Sequence, residues 1–505
     1  MEVLPERLNL AEHCLGLGPG SPRDRDAVAL VVVHDGEHPR QGAQRWTFGE
    51  LDAAVRACAH GLIRLGLAPG DRLLLRLGNV AEFPILFFGA IAAGLIAVPT
   101  SAQLTAEEAG WIARDSGAVM VAGDLPADST LPRITIGRVR HWVRSGQQAA
   151  YRPTAGGEPA FLVYTSGTTA EPKGVLHAHR SVWGRRPMYP GWHAMACGDV
   201  VAHAGALNWT YTLGVGLTDP WAVGACAVVY AGRRDPAVWQ RIVRDYRASI
   251  FAAVPGVYRQ WLRTGVDPVE LASLRRVLTA GEALTPGLHR EWLGRTGIDM
   301  YEALGMSEIS TFVSSGPDVP VRAGSPGRAQ PGRRVAVLPL KGGNDPCEVG
   351  EVGLLAVHRS DPGLMLGYWQ RPDEDAATTR GEWFVTSDVV DIDADGYVHH
   401  HGRADDVITA LGYRVSPAEV ERVLERHPAI AEVAVTEALV RDGVHVVAAF
   451  VVPADPDAPG GLDAASVLSF AAEHLAAYKC PREIRWVDAL PRTANGKIIR
   501  RALRG

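Results

Sequence analysis

Apolar and polar positions along the first 300 residues follow two rhythms. Short apolar runs at Arg72–Leu77, Val119–Ala122, Ala248–Val254 and Arg276–Thr279 read as buried strands. Leu51–Leu65 has apolar residues at helical spacing, with Gly66 placed to stop it, and Ala237–Tyr246 and Pro286–Thr296 also read as helices. Strand-then-helix alternation predicts an α/β fold with a parallel sheet covered by helices. The most apolar stretch, Phe83–Val98, is interrupted by Pro84, Gly89 and Gly94. It is shorter than the ~20 residues of a membrane span and reads as a buried core helix.

From about Gly324 the rhythm changes. Arg334–Leu338, Gly353–His358 and Tyr397–His400 read as short strands between Gly/Pro/Asp turns, a compact β region. After Asp405 it changes again. Ser416–Glu425 reads as a helix with Ser416 at its N-cap and Pro417 at its first position. Val433–Thr436 and Val444–Val452 read as strands and Ala464–Ala476 as a helix. That tail is long enough for a small α+β domain.

Composition narrows the function. At 505 residues the chain has material for two or more domains. Lys+Arg 51 against Asp+Glu 56 gives a net charge of −5, the wrong balance for a protein built to grip nucleic acid. The 6 cysteines include no CxxC pair, which disfavours a zinc ribbon or disulfide scaffold and points to a reducing, cytoplasmic setting. The acidic first 30 residues lack the apolar run of a secretory signal.

The strongest local signal is Tyr164-Thr165-Ser166-Gly167-Thr168-Thr169-Ala170-Glu171-Pro172-Lys173-Gly174, which leaves the apolar run Ala160–Val163 as a loop. Its hydroxyls and backbone N–H groups can donate, its glycines permit close approach, and Lys173 adds charge: a cradle for a polyphosphate. It is not a Walker A loop, which needs Gly-Lys before Ser or Thr. Further along come Tyr301-Glu302-Ala303-Leu304-Gly305-Met306-Ser307-Glu308, Thr386-Ser387-Asp388, Gly402-Arg403-Ala404-Asp405-Asp406, Gly412-Tyr413-Arg414 and Pro491-Arg492-Thr493-Ala494-Asn495-Gly496-Lys497.

With these motifs in this order, nearly the whole chain resembles the acyl-adenylate-forming superfamily. It is most similar to the medium-chain acyl-CoA synthetases, with benzoate-activating relatives nearby. The resemblance implies a large N-terminal domain, residues 1–403, of parallel α/β sheets plus a small β region. A mobile α+β C-terminal domain, residues 404–505, would turn on a hinge at Asp405. It implies AMP-forming activation of a medium-chain fatty or aromatic carboxylic acid, with ATP, Mg²⁺ and CoA, and it leaves a homodimer open.

Roles follow from matched positions. Thr165, Ser166, Gly167, Thr168, Thr169 and Lys173 would hold the β- and γ-phosphates. Ala280, Gly281 and Glu282 would border adenine, with Tyr301 packed on the ring. Ser307 would contact the α-phosphate; its relatives more often carry Thr there, and the hydroxyl survives. Glu308 would hold Mg²⁺. Asp388 would accept from the ribose hydroxyls, with Arg403 donating nearby. Lys497 would bridge the attacking carboxylate and the α-phosphate, and Gly412 would line the thiol channel. Trp209 and Gly214 would wall the acyl pocket, in a segment where Asn208, Thr210, Tyr211 and Thr212 add polarity.

Other readings stay beside these. His399-His400-His401 invites a metal, but neighbours on a strand alternate faces. His177, His179 and His203 suit either core packing or the substrate pocket. The last 27 residues hold eight Lys/Arg against two acids, which is either a solvated face or a basic lip that steers phosphates. A stand-alone adenylation enzyme that loads a carrier protein is the alternative function. A nucleotide sensor would be expected to have lost Lys497, Glu308 or Asp388, and all three are present.

Overall fold

The computed structural model describes residues 3–125, 129–165, 172–232, 235, 237–404, 408–410, 413–441, 444–455, 463–477, 479–493 and 498–503. Six strands run parallel in one sheet, in spatial order Val28–Val33, Cys226–Tyr230, Val200–His203, Ile250–Ala253, Arg276–Ala280 and Met300–Met306. Helices Val238–Tyr246, Pro255–Thr264 and Pro286–Thr296 supply the later crossovers. Pro286–Thr296 starts where Thr285 accepts from Leu288 N–H and stops at left-handed Gly297.

The sheet does not end there. After Met306 the chain reverses into Ser310–Ser314, and Gly327–Ala329, Tyr397–Arg403 and Trp383–Ile392 continue it antiparallel. Gly353–His358 and Val335–Leu338 follow at that edge. The β region expected as a compact unit after Gly324 is thus the antiparallel end of the same sheet.

A second sheet of seven strands holds Lys173–Ala178 antiparallel to Pro159–Thr165, then Ile96–Pro99, Arg72–Arg76 and Met120–Gly123 in parallel. Helices Phe48–Arg64 and Glu82–Ala92 share one core with strand residues such as Leu30, Val32, Leu73 and Leu75. The expected single helix over Phe83–Val98 is corrected: the helix ends at Ala92 and the strand Ile96–Pro99 follows. Gly94 makes the break with φ +82, and a side chain there would collide with Arg152.

Beyond residue 415 a three-stranded sheet forms from Ile430–Arg441, Val444–Pro453 and Glu483–Trp486. Helices Pro417–Leu424 and Ala464–His474 pack on it around Val420, Leu424, Val435, Val451 and Val467. Ser416 sits at the N-cap, but its hydroxyl donates to the His401 carbonyl instead of capping the helix. Among the described residues no helix is long and apolar enough to cross a membrane.

Candidate active site

The carboxyl ends of parallel strands leave backbone groups unpaired at a crevice, the usual ligand position in such sheets. Here the strand Arg276–Ala280 turns out through Gly281 at φ +93, and a Cβ there would stand 3.0 Å from the Trp209 indole. A cavity of about 970 Å³ opens at this edge, lined among others by Gly281, Glu282, Leu304, Asp388, Arg403 and Arg492.

The antiparallel end of the sheet delivers the second group. Asp388 and Arg403 are register partners on neighbouring strands. Asp388 N–H donates to Thr386 Oγ1 at 3.0 Å, and His400 Nε2 lies 3.0 Å from Asp388 Oδ1. Glu282 pairs with Arg492 at 2.9 Å across the cavity. Burial raises the Glu282 carboxyl, with Arg492 opposing the rise.

The Ser307-Glu308 turn is fastened from several sides. His177 Nε2 donates to the Ser307 carbonyl at 2.7 Å, and Met365 N–H donates to the Glu308 carbonyl at 2.8 Å. Burial lowers the His177 imidazole to about 4, so it stays neutral. Ser310, two residues on, takes φ 71, and Arg185 Nη1 donates to its hydroxyl. Tyr368 Oη donates to Glu308 Oε1 at 2.8 Å. Lys173 Nζ stands 5.7 Å over the Tyr368 ring and 2.7 Å from Glu374. Burial first, then Glu308, holds the Tyr368 phenol far above its ordinary range, so it remains a donor. A carboxylate with one oxygen steadied, close to the end of a hydroxyl-rich loop, suits a hard cation such as Mg²⁺.

The segment expected to wall the acyl pocket lies over small sheet residues. His203 and Leu278 both flank Ala252 in the register, and Ala280 and Ala303 sit one row nearer the crevice. Tyr211 covers this face, edge-on to His203 at 4.5 Å and to Trp209 at 5.2 Å. Gly214 faces elsewhere: a side chain there would collide with the Arg185 guanidinium. Arg185 holds Asp219 bidentately, Nε and Nη2 each at 2.6 Å. A small cavity of about 40 Å³ lies beside them, lined by Thr210, Gly214, His177 and Ser307. Trp209 and Gly214 are therefore not brought together on one wall.

Tyr301 is not brought to the nucleotide-sized cavity either. Its ring packs 5.2 Å from the Arg276 guanidinium in the core that holds Trp192 and Ala280. Residues 302 and 304 take the opposite face of the strand, and Leu304 stands at the cavity where Tyr301 was expected. Ser166, Gly167, Thr168, Thr169, Asp405, Gly412 and Lys497 lie outside the described residues. The three histidines each face their own aspartate: His399 to Asp393 at 3.1 Å, His400 to Asp388 at 3.0 Å and His401 to Asp391 at 2.5 Å. In the basic tail, Lys479, Arg485, Arg492 and Arg500 pair with Glu419, Glu483, Glu432 and Glu421. Sequence reasoning missed Tyr368, Arg185 and Asn79, whose amide holds the carbonyls of Gly205 and Tyr230 at 3.0 Å.

The chain is similar to known proteins in sequence and fold. Residues 21–369 match the model of the AMP-binding enzyme family, and residues 419–497 match that of the AMP-binding enzyme C-terminal domain. The chain is 32% identical to a 3-hydroxybenzoate–CoA ligase of Aromatoleum sp. (strain CIB) over 92% of each chain. It is 31% identical to a benzoate–CoA ligase of Thauera aromatica, over 99% of this chain and 96% of that one. The crystal structure of a benzoate CoA ligase from Burkholderia xenovorans LB400 superposes with a TM-score of 0.87 at 28% identity, covering 98% of this chain and 100% of that one. With a family model matching most of its length and relatives above 30% identity over nearly the whole chain, the chain belongs to the AMP-binding enzyme family.

Proposed function

We propose that the protein is an AMP-forming carboxylic acid–CoA ligase whose acid is aromatic. The observation that carries this is the cavity of about 970 Å³ that unites Gly281, Leu304, Asp388 and Arg403 at the strand ends, adjoining the Ser307-Glu308 turn through Met306. The Trp209–Tyr211–Trp192 cluster over small sheet residues favours a flat ring on the acid side.

Adenine fits the slot between Gly281–Ala283 and Leu304–Gly305, and the Asp388 carboxylate accepts from the ribose hydroxyls. The loop from Thr165 to Lys173 receives the β- and γ-phosphates. Glu308 would hold Mg²⁺, which when bound neutralises phosphate charge. A carboxylate oxygen of the acid attacks the α-phosphorus and pyrophosphate leaves. Ser307 and Lys497 hold the two anions together against their repulsion. The CoA thiolate sulfur then attacks the acyl carbonyl and AMP leaves. We assign residues 1–403 and 404–505 to two domains with Asp405 at their hinge, and Gly412 to the thiol channel.

The test is pyrophosphate release with benzoate, 3-hydroxybenzoate or hexanoate, followed by mass analysis with CoA or a pantetheinylated carrier. Acid-dependent release and an acyl-CoA product are expected, fastest with an aromatic acid. No release with any acid, or acyl transfer to the carrier alone, overturns the reading. Lys497→Ala is expected to cut pyrophosphate release by ~10²–10³, the usual cost of one aimed charge. It should still convert supplied acyl-AMP and CoA to thioester; equal loss of both steps would refute that role.

A further inference from the structure

Arginine's planar guanidinium presents its N–H donors in a fixed fork, so one side chain can hold two carboxylates from different directions. Arg492 does so between two parts of the molecule. Its Nη1 donates to Glu282 Oε1 at 2.9 Å and its Nη2 to Glu432 Oε2 at 3.0 Å. Glu282 follows Gly281, where the chain leaves the large sheet, whereas Glu432 lies on the strand Ile430–Arg441 of the three-stranded sheet. Arg263, on the helix Pro255–Thr264, stands 3.9 Å from the other Glu432 oxygen and makes a second crossing. The side chains of Arg492, Glu282 and Glu432 are 25%, 16% and 20% exposed, so solvent screens these pairs only in part.

The clasp also sits where a turn closes. Arg492 and Ile498 face each other as an antiparallel bridge, and Ile499 N–H donates to the Pro491 carbonyl at 2.8 Å. Arg492 and Ile498 both line the cavity of about 970 Å³, together with Asp388 and Glu282. Lys497 immediately precedes Ile498 in the sequence. Holding Arg492 therefore holds both ends of this turn at the nucleotide crevice. A rotation about Asp405 would part Arg492 from Glu282 and carry Glu432 along with Arg492.

We propose that Arg492 is a positioning residue for acyl-AMP formation: by joining Glu432 to Glu282 it moors the small domain against the crevice, and it releases Glu282 when that domain turns for the thiol step. This rests on the ligase reading and the two-domain assignment above. The pair with Glu282 exists only while the two regions face each other as they do here, so its free energy favours this orientation. Without Arg492 the sign reverses, because the Glu432 charge acts against that of Glu282 across the seam. A lysine would keep the charge but not the fork, since an ammonium is a point charge on a flexible stem.

The test measures both half-reactions on the full chain, with whichever of benzoate, 3-hydroxybenzoate and hexanoate the wild type activates fastest. One assay follows acid-dependent pyrophosphate release, the other the conversion of the supplied acyl-AMP and CoA to thioester. Arg492→Leu should lower kcat for pyrophosphate release about tenfold or more, the worth of a hydrogen bond between charged groups. It should leave KM for ATP unchanged and form thioester at the wild-type rate or faster, which also shows that the variant is folded. Arg492→Lys should lose less of the first step. Glu282→Gln should slow that step too, and the double variant should be no slower than Arg492→Leu alone, because the two residues act as one pair. Equal loss of both half-reactions, a raised KM for ATP with kcat unchanged, or additive losses in the double variant overturns the proposal while leaving the ligase reading intact. No pyrophosphate release by the wild type with any of the acids overturns the ligase reading itself.

Discussion

Two buried polar clusters flank the segment from Trp209 to Gly224, and they are built in opposite ways. Arg185 and Asp219 satisfy one another bidentately, and Arg185 spends its remaining nitrogen on Ser310. His203 and Thr212 satisfy nothing. The first cluster is framework: it fixes the helical segment to the turn that carries Ser307 and Glu308. The second leaves its hydrogen-bonding capacity unused. Glu302 stands between the extremes, buried and accepting one bond, from Leu284 N–H at 3.0 Å.

Removing one partner of the satisfied pair gives the largest effect. Burial pushes Asp219 up, but the Arg185 charge and hydrogen bonds win and hold its carboxyl well below the usual range. Arg185→Leu strands that charge and is expected to cost about 3–5 kcal/mol in denaturant unfolding. A loss under about 1 kcal/mol would mean that the pair is not framework. Gly214→Ala should act in the same direction, because its methyl intrudes on the guanidinium.

Glu302 should show itself through pH. Burial raises its carboxyl from the ordinary 4.5 to about 7. Between those values the native chain holds a proton that the unfolded chain has lost, so stability falls as pH rises through the window, by roughly 3 kcal/mol in all. Glu302→Gln keeps the acceptor and should flatten the thermal-stability profile between pH 4.5 and 7. An unchanged slope there would remove Glu302 as its source.

Tyr368→Phe takes a neutral donor from a carboxylate and leaves the packing. The half-saturating Mg²⁺ concentration for nucleotide binding, followed by calorimetry, should rise about tenfold, as expected for a hydrogen bond to a charged group. A shift in kcat with no change in the Mg²⁺ titration would assign the phenol to another task. The smallest stability effect belongs to Thr212→Val. Replacing an unpaired hydroxyl by a methyl should leave the unfolding midpoint unchanged or slightly higher. A loss of more than about 1 kcal/mol would show that Thr212 has a structural partner after all.

Much of the nucleotide side was legible because its chemistry is written in contiguous loops. Gly281, Asp388 and Arg403, far apart in sequence, line one cavity. The face of a strand was less legible. Tyr301 was placed by motif, whereas period-2 alternation sets it with Ala303 on one face and Glu302 with Leu304 on the other. Gly94 could have been read as a break in Phe83–Val98, but apolar run length outweighed it. Tyr368, Arg185 and Asn79 could not be found from local pattern, since each acts on a residue more than 30 positions away.

The continuity of the large sheet bears on how this protein can change. Gly281, Leu304, Arg403 and Asp388 stand on or beside strands of one continuous sheet, bulged after Leu304 and after Val389. Strand spacing is set by peptide geometry and no side chain alters it. On the ligase reading proposed above, the sheet is therefore a ruler cut to one nucleotide. Trp209 and Tyr211 instead belong to a segment laid over the sheet and held by side-chain packing, where single substitutions can redraw the fit. Variation among descendants of this chain should accumulate in the acid it accepts while the nucleotide stays the same.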